Sequence, residues 1–230
     1  LQELHLWQTL ANFGEPDEFI MGRLDNNQDK SEYARVKNVF SFAHEHEDVL
    51  YGATSCAKVL LVRDSYNIPN PEERGWVRVL TELHIPFDEV LTAGLTSMDL
   101  HKYHLVILPS KARVNDKMSD ALNAFAGSGG CVLATGRPPM AGTLPLRCLG
   151  ITAIEPTDTS ALGAALEVLS EDQSVFLDFM DRGLIPVGNS FQPVAMEPDA
   201  RTYMRLLPAE PFGPPEVCYP HKAPSEQFGV

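Results

Sequence analysis

Residues 124–136, AFAGSGGCVLATG, set Gly127, Gly129 and Gly130 directly before an apolar run that starts at Cys131. Glycine-rich turns hold phosphate when they follow a strand and open a helix, because the first N–H groups of the helix then point at the anion. Here the order is reversed. DKMSDALNAFA (116–126) carries Met118, Ala121, Leu122 and Phe125 at helical spacing, and CVLATG reads as a strand. The glycines thus follow a helix and precede a strand, where glycine supplies a left-handed cap and a tight turn, and no phosphate is expected on them. A second suggestive stretch is AHEHED (43–48). On a helix His44 and His46 stand about 200° apart and cannot share an ion. His44 and Asp48 have usable i,i+4 spacing, but two ligands make a poor site. Neither metal nor cofactor is expected.

Cys148, in PLRCLGI (145–151), is the thiol to weigh as a nucleophile. Class I glutamine amidotransferases hold theirs in a Gly-x-Cys-x-Gly elbow between a strand and a helix, which exposes the sulfur near backbone N–H groups and lowers its pKa. Cys148-Leu149-Gly150 supplies the second half of that elbow, and Leu146 stands where the first glycine belongs. The downstream His-x-Glu is also missing, since His221 is followed by Lys222 and Ala223. Without a base the thiol stays protonated, so Cys148 reads as structural and no catalytic residue is assigned. A thiol hydrolase using Cys148 is the rival reading. In wound α/β sheets ligands gather at the carboxyl ends of the strands. The polar residues there are Arg63, Asp64 and Ser65, then Ser110 and Lys111, then Arg137. DSYNIPNP is a poor flavodoxin phosphate loop, and Pro109-Ser110 stands where a response regulator needs an aspartate. Asp64 reads first as a strand-end cap. A carbohydrate- or metabolite-binding module using Asp64, Ser65, Ser110 and Arg137 is a second rival.

The elements that position these residues begin at Lys58. KVLLVR (58–63) and HLVILP (104–109) are continuous apolar runs, as in strands buried on both faces. Between them, NPEERGWVRVLTELH offers Asn70 as a cap, Pro71 at the first helical position, acids in the first turn, and a stripe of Trp76, Val79, Leu80 and Leu83. FDEVLT (87–92) reads as a further strand. Strand, helix, strand, strand, helix, strand predicts an α/β domain with a doubly wound parallel sheet over 57–207. Past Gly136 the pattern weakens. ITAIE (151–155), LIPV and RTYMRLLP read as strands, whereas ALGAALEVLS (161–170) and DQSVFLDFMDR (172–182) read as helices. Residues 208–230 are rich in proline and read as an extended segment. Residues 1–56 read as a helical lead-in. ANFGEPDEFIMGRLDNNQDK reads as loop, followed by a helix with Tyr33, Val36, Phe40, Ala43 and Leu50 on one face and a capping box from Asp29 and Glu32.

With 44% hydrophobic residues the chain can bury a core, and its formal charge of −13 excludes a basic surface for nucleic acid or anionic lipid. No run of about 18 apolar residues is present. Cys56, Cys131, Cys148 and Cys218 lie far apart, so neither a zinc cluster nor a disulfide framework is expected. Cys131 reads as a small buried hydrophobe, and the expected location is cytoplasmic. The chain starts at Leu1 without an initiator Met or a signal-like segment, and reads as a piece of something longer.

AKVLLVRDS, RGWVRVLTELHIPFDEVL and DLHKYHLVILPSKARVNDKMSDALNAFAGSGGCVLATG together resemble the trimerisation domain of family 42 β-galactosidases and related glycoside hydrolases. The shared features are the YHLVILP strand, the helix ending in GSGG, the CVLATG strand and a following Leu-Gly; they cover 57–136 well and 137–230 loosely. The resemblance implies a flavodoxin-like, class I glutamine amidotransferase-like fold that has lost its glutaminase residues. It also implies that 1–56 leads in from an upstream catalytic barrel carrying the glycosidase carboxylates. The expected role is a non-catalytic accessory and oligomerisation domain. Its contacts are expected from the proline-rich segment around Phe212 and Tyr219 and from the lead-in around Trp7, Phe13 and Phe19.

Overall fold

The computed structural model describes residues 2–19, 25, 28–64, 70–110, 112–159, 163–179, 183–188 and 190–208. The chain divides into two compact units, Leu1–Cys56 and Ala57–Val230.

The first unit is helical: α1 (Gln2–Ala11), α2 (Ser31–Glu45) and a single turn, α3 (Glu47–Leu50). Leu6 and Leu10 of α1 and Val39 of α2 are buried together, with Trp7, Val36, Ala43 and Leu50 packed around them. The Trp7 and Phe42 rings meet edge to face at 5.1 Å. α1 has no counterpart in the sequence reading, although Leu6 and Leu10 have the i,i+4 spacing of a buried helical stripe. The expected capping box does not form. Asp29 lies one residue too early: Lys30 is the N-cap and its side chain makes no cap bond, while the Asp29 carboxylate accepts from the Ser31 N–H at 2.9 Å. That bond holds the Asp29 carboxyl below its ordinary range. Glu32 pairs instead with Arg35.

The second unit contains β1 (Val59–Arg63), α4 (Pro71–Glu82), β2 (Phe87–Leu91), β3 (Leu105–Leu108), α5 (Asp116–Gly127) and β4 (Cys131–Ala134). The four strands form a parallel sheet in the order β2-β1-β3-β4. The chain steps from β1 outward to β2, then back across β1 to β3 and on to β4. Right-handed crossovers therefore put α4 on one face and α5 on the other. Leu61 and Ile107 pack against Leu80 and Trp76 of α4. Leu60, Val62, Val106 and Leu108 pack against Met118, Leu122 and Phe125 of α5, with Leu95 and Leu100 of the 92–102 connection. Leu60, Leu61 and Val62 are all fully buried, which is why β1 reads as an unbroken apolar run.

Cys131 departs from expectation. It is exposed, because β4 is an outer strand and α4 packs over the other three. Cys131 lies beside Leu105 in the register and so shares the α4 face, beyond the reach of that helix. Leu133, two residues on, is also exposed.

Residues 140–207 form short antiparallel pairs: β5 (Met140–Ala141) with β6 (Leu144–Pro145), and β7 (Ile151–Ile154) with β10 (Val194–Met196). β8 (Ala165–Glu167) lies between β9 (Leu184–Pro186) and β11 (Arg205–Leu207). The three strands expected at 151–155, in LIPV and in RTYMRLLP are present. The two expected helices are not. Within 161–170 the described residues form β8, whose Leu166 packs with Ala164 and Leu206; pairing on both sides outweighs the helix propensity of Ala, Leu and Glu. Within 172–182 they form turns, with a 3-10 segment at Leu177–Phe179. No described helix is long and apolar enough to cross a membrane. Residues 209–230, including Phe212 and Tyr219, lie outside the described residues, as do Ser65 and Lys111.

Candidate functional site

The carboxyl ends of β1, β3 and β4 bring Asp64, Ser110 and Arg137 to one edge of the sheet. Around them the start of α4 supplies most of the chemistry. Asn70 caps the helix, its side-chain oxygen accepting from the Glu72 and Glu73 N–H groups at 3.0 and 2.9 Å. The Glu73 carboxylate reaches back to the Asn70 N–H at 3.2 Å, completing a capping box. Glu73 is 2% exposed, and its other oxygen accepts from the Asp64 N–H at 2.9 Å. A buried carboxylate is tolerated here because backbone donors meet both oxygens. It ties the end of β1 to the start of α4. The Asp64 carboxylate lies 3.4 Å from Arg113.

Ser110 is the second junction. Its hydroxyl oxygen accepts from the Arg137 N–H at 3.2 Å, and its carbonyl lies 3.5 Å from the Asn70 amide nitrogen. Gly136 has φ +63°, and a Cβ there would fall 2.6 Å from the Ser110 Cβ, so glycine lets β3 and β4 end side by side. The Thr135 hydroxyl donates to the Glu72 carboxylate and accepts from the Trp76 indole N–H at 3.1 Å. Ser110 and Arg137 thus meet through a backbone N–H and not through the guanidinium. Glu72, Glu73 and Thr135 were not singled out from the sequence. Acids in a first helical turn are the only signal they leave. The polar groups at this edge bind one another, and the N–H groups at the start of α4 are already capped.

Cys148 lies in a 3-10 turn, Arg147–Leu149, between β6 and β7. An elbow needs a strand running into a helix, and here the turn runs into β7 through Gly150 at φ +64°. The Cys148 N–H donates to Asn123 at 2.9 Å. Burial pushes the thiol up, opposite to what an activated nucleophile requires.

The glycines after α5 take structural positions. Ser128 is the C-cap, Gly129 has φ +96°, and a Cβ on Gly130 would lie 2.2 Å from the Phe125 ring. They stand at the amino end of β4, across the sheet from the edge where ligands gather. His44 lies 3.5 Å from Glu47, while His46 stacks on Phe42 at 4.2 Å. Among the described residues no group of three or more His, Cys, Asp or Glu is placed to hold a metal ion.

No family model and no curated protein matches the sequence. Solved structures do. The α-L-fucosidase isoenzyme 2 of Paenibacillus thiaminolyticus superposes on 99% of this chain with a TM-score of 0.67 and 21% identity. The β-galactosidase of Bacillus circulans sp. alkalophilus matches 79% of it with a TM-score of 0.57 and 18% identity. Gan42B, a GH42 β-galactosidase, matches 81% with a TM-score of 0.53 and 18% identity. This chain has the fold of a part of those glycosidases. It spans 35%, 29% and 30% of their respective lengths.

Proposed function

We propose that the chain is a non-catalytic accessory domain of a glycoside hydrolase, serving to hold copies of the enzyme together. The observation that carries this reading is the shared third. One fold recurs in a chain named an α-L-fucosidase and in chains named β-galactosidases, enzymes that differ in sugar and in anomer. A fold common to both supports a role other than choosing the sugar or the anomer. Glycoside hydrolysis uses two carboxyl groups flanking the bond, whereas Glu73 and Glu72 are committed to backbone and threonine donors.

The strand order β2-β1-β3-β4 with a helix on each face supports the flavodoxin-like, amidotransferase-like reading. The half-buried, unactivated Cys148 thiol supports the loss of glutaminase chemistry. Phe19 and Val49 of the helical unit are 83% and 67% exposed. Large apolar side chains left this open support burial against a second copy or a catalytic part of the same polypeptide.

Light scattering after size exclusion at tens of micromolar tests the assembly role: a dimer or trimer is expected, and a monomer overturns it. Nitrophenyl α-L-fucoside and β-galactoside test the accessory role, with no turnover expected from these residues alone. Hydrolysis that survives purification to homogeneity overturns it. The reading frame containing this chain is expected to encode, upstream of Leu1, a barrel-length segment bearing the two carboxylates.

A further inference from the structure

The helical unit holds a cleft of about 470 Å³. Three aromatic residues line it, Phe13, Phe40 and Tyr51, together with two carboxylates, Glu15 and Glu47. No lysine or arginine does; the one basic side chain is His44, paired with Glu47 at 3.5 Å. The rings are not sealed into the core: Phe13 is 66% exposed and Phe40 39%. We propose that this cleft binds a free, small organic cation, an ammonium group carried on an apolar stem.

The lining discriminates among ligand classes. A purely apolar ligand gains from the rings but offers nothing to Glu15 or to the Glu47–His44 pair at its edge. An anion meets two like charges, and the one basic side chain in the lining, His44, already lies 3.5 Å from Glu47. An alkylammonium satisfies both halves, its charge facing the carboxylates and the negative faces of the rings, its stem covering the apolar floor at Leu10 and Leu50. The field extends past the cleft, because a neighbouring groove shares His44, Glu47 and Tyr51 with it and adds Glu45 and Asp48. A chain of net charge −13 raises the local concentration of cations at such a mouth. The volume lies in the range of small-molecule sites, which favours a free ligand over a docked polypeptide.

Phe13 adds a separate observation. After α1 the Phe13 N–H bonds to the Leu10 carbonyl at 2.9 Å and the Gly14 N–H to the Thr9 carbonyl at 2.8 Å. This helix-ending turn puts Phe13 in the left-handed region at φ +56°, a place that favours glycine. Glycine follows one residue later, and the aromatic ring occupies the strained position at the rim of the cleft.

The test is an NMR titration of the full 230-residue chain with choline and with its neutral isostere, 3,3-dimethylbutan-1-ol. Choline is expected to give saturable shifts at Phe13, Phe40 and Tyr51, with the isostere at least about tenfold weaker. Glu15→Gln and Glu47→Gln are each expected to weaken choline by roughly three- to tenfold. Phe13→Gly separates binding from folding: it relieves the left-handed backbone, so the variant should unfold no earlier than the parent yet bind choline more weakly. Equal affinity for choline and the isostere overturns the proposal, as does the absence of saturable shifts up to about 10 mM, a generous limit for so small a ligand. Shifts from an arginine-containing peptide, with none from choline, would overturn it in favour of a partner's side chain.

Discussion

Gly130 and Gly127 sit three residues apart at the end of α5, and substituting each by alanine should have opposite results. A Cβ on Gly130 enters the Phe125 ring, while one on Gly127 meets nothing within 4 Å. Gly130→Ala is expected to destabilise by about 1–3 kcal/mol through overpacking, and Gly127→Ala to stabilise by about 0.5–1 kcal/mol by restricting the unfolded chain. Urea midpoints of the two variants check both signs. Tyr103 gives a pH dependence. Burial, then its hydrogen bond to Asp88 at 2.8 Å, pushes its hydroxyl up to about 12, against about 10 in the unfolded chain. The folded state keeps a proton that the unfolded state releases. The resulting stability is fully present below pH about 10 and is lost as pH rises through about 12. Tyr103→Phe should cost about 1 kcal/mol at pH 8 and show less alkaline loss between pH about 10 and 12, measured by the same unfolding experiment. The cysteines give a third test. Cys56 and Cys131 are exposed, and Cys148 is half-buried with its thiol pushed up. Iodoacetamide at pH 8 followed by peptide mass mapping should label Cys148 well after the other two.

The two helix caps of the sheet unit are independent tests of how α4 and α5 are anchored. Asn70 accepts from two N–H groups and Asn115 from that of Met118. Asn70→Ala and Asn115→Ala are each expected to cost about 1 kcal/mol. Because the two helices cover opposite faces, the double variant should show additive losses, and a clear departure would mean the caps share partners. What the sequence disclosed at this scale follows from burial. β1 and β3, closed on both faces, leave unbroken apolar runs, and Asn70-Pro71 marks the start of α4 unambiguously. β8 left no such mark: three residues among alanines and leucines become a strand only because β9 and β11 flank them. Cys131 misled for the related reason that a strand's pattern does not say whether it is central or outer. At the sheet edge, sequence order placed Asp64, Ser110 and Arg137 together. It could not show that Arg137 contributes a backbone N–H, or that Glu73 turns inward, because those depend on loops meeting from distant parts of the chain.

At the scale of the molecule, each unit has hydrophobic clusters of its own. Those of Ala57–Val230 use both faces of the parallel sheet, and a piece cut to 57–230 is expected to keep a single cooperative unfolding transition. The helical unit buries Leu6, Leu10 and Val39 between helices of 10 and 15 residues, too little for independent stability. A piece cut to 1–56 should show weak, non-cooperative helicity by circular dichroism, and a sharp melt would contradict this. The sheet order carries one more consequence. Among the described residues β2 and β4 each pair on one side only, so two rows of backbone donors and acceptors face outward. β2 carries Asp88 and Glu89, charges that discourage another strand from adding itself. β4 is Cys-Val-Leu-Ala, uncharged, with Leu133 open on the side α4 leaves bare. When the molecule is warmed towards unfolding, this border is where chains should join into insoluble cross-strand aggregates. A lysine at that place, Leu133→Lys, acts as a guard and should raise the temperature at which turbidity appears without raising the unfolding midpoint.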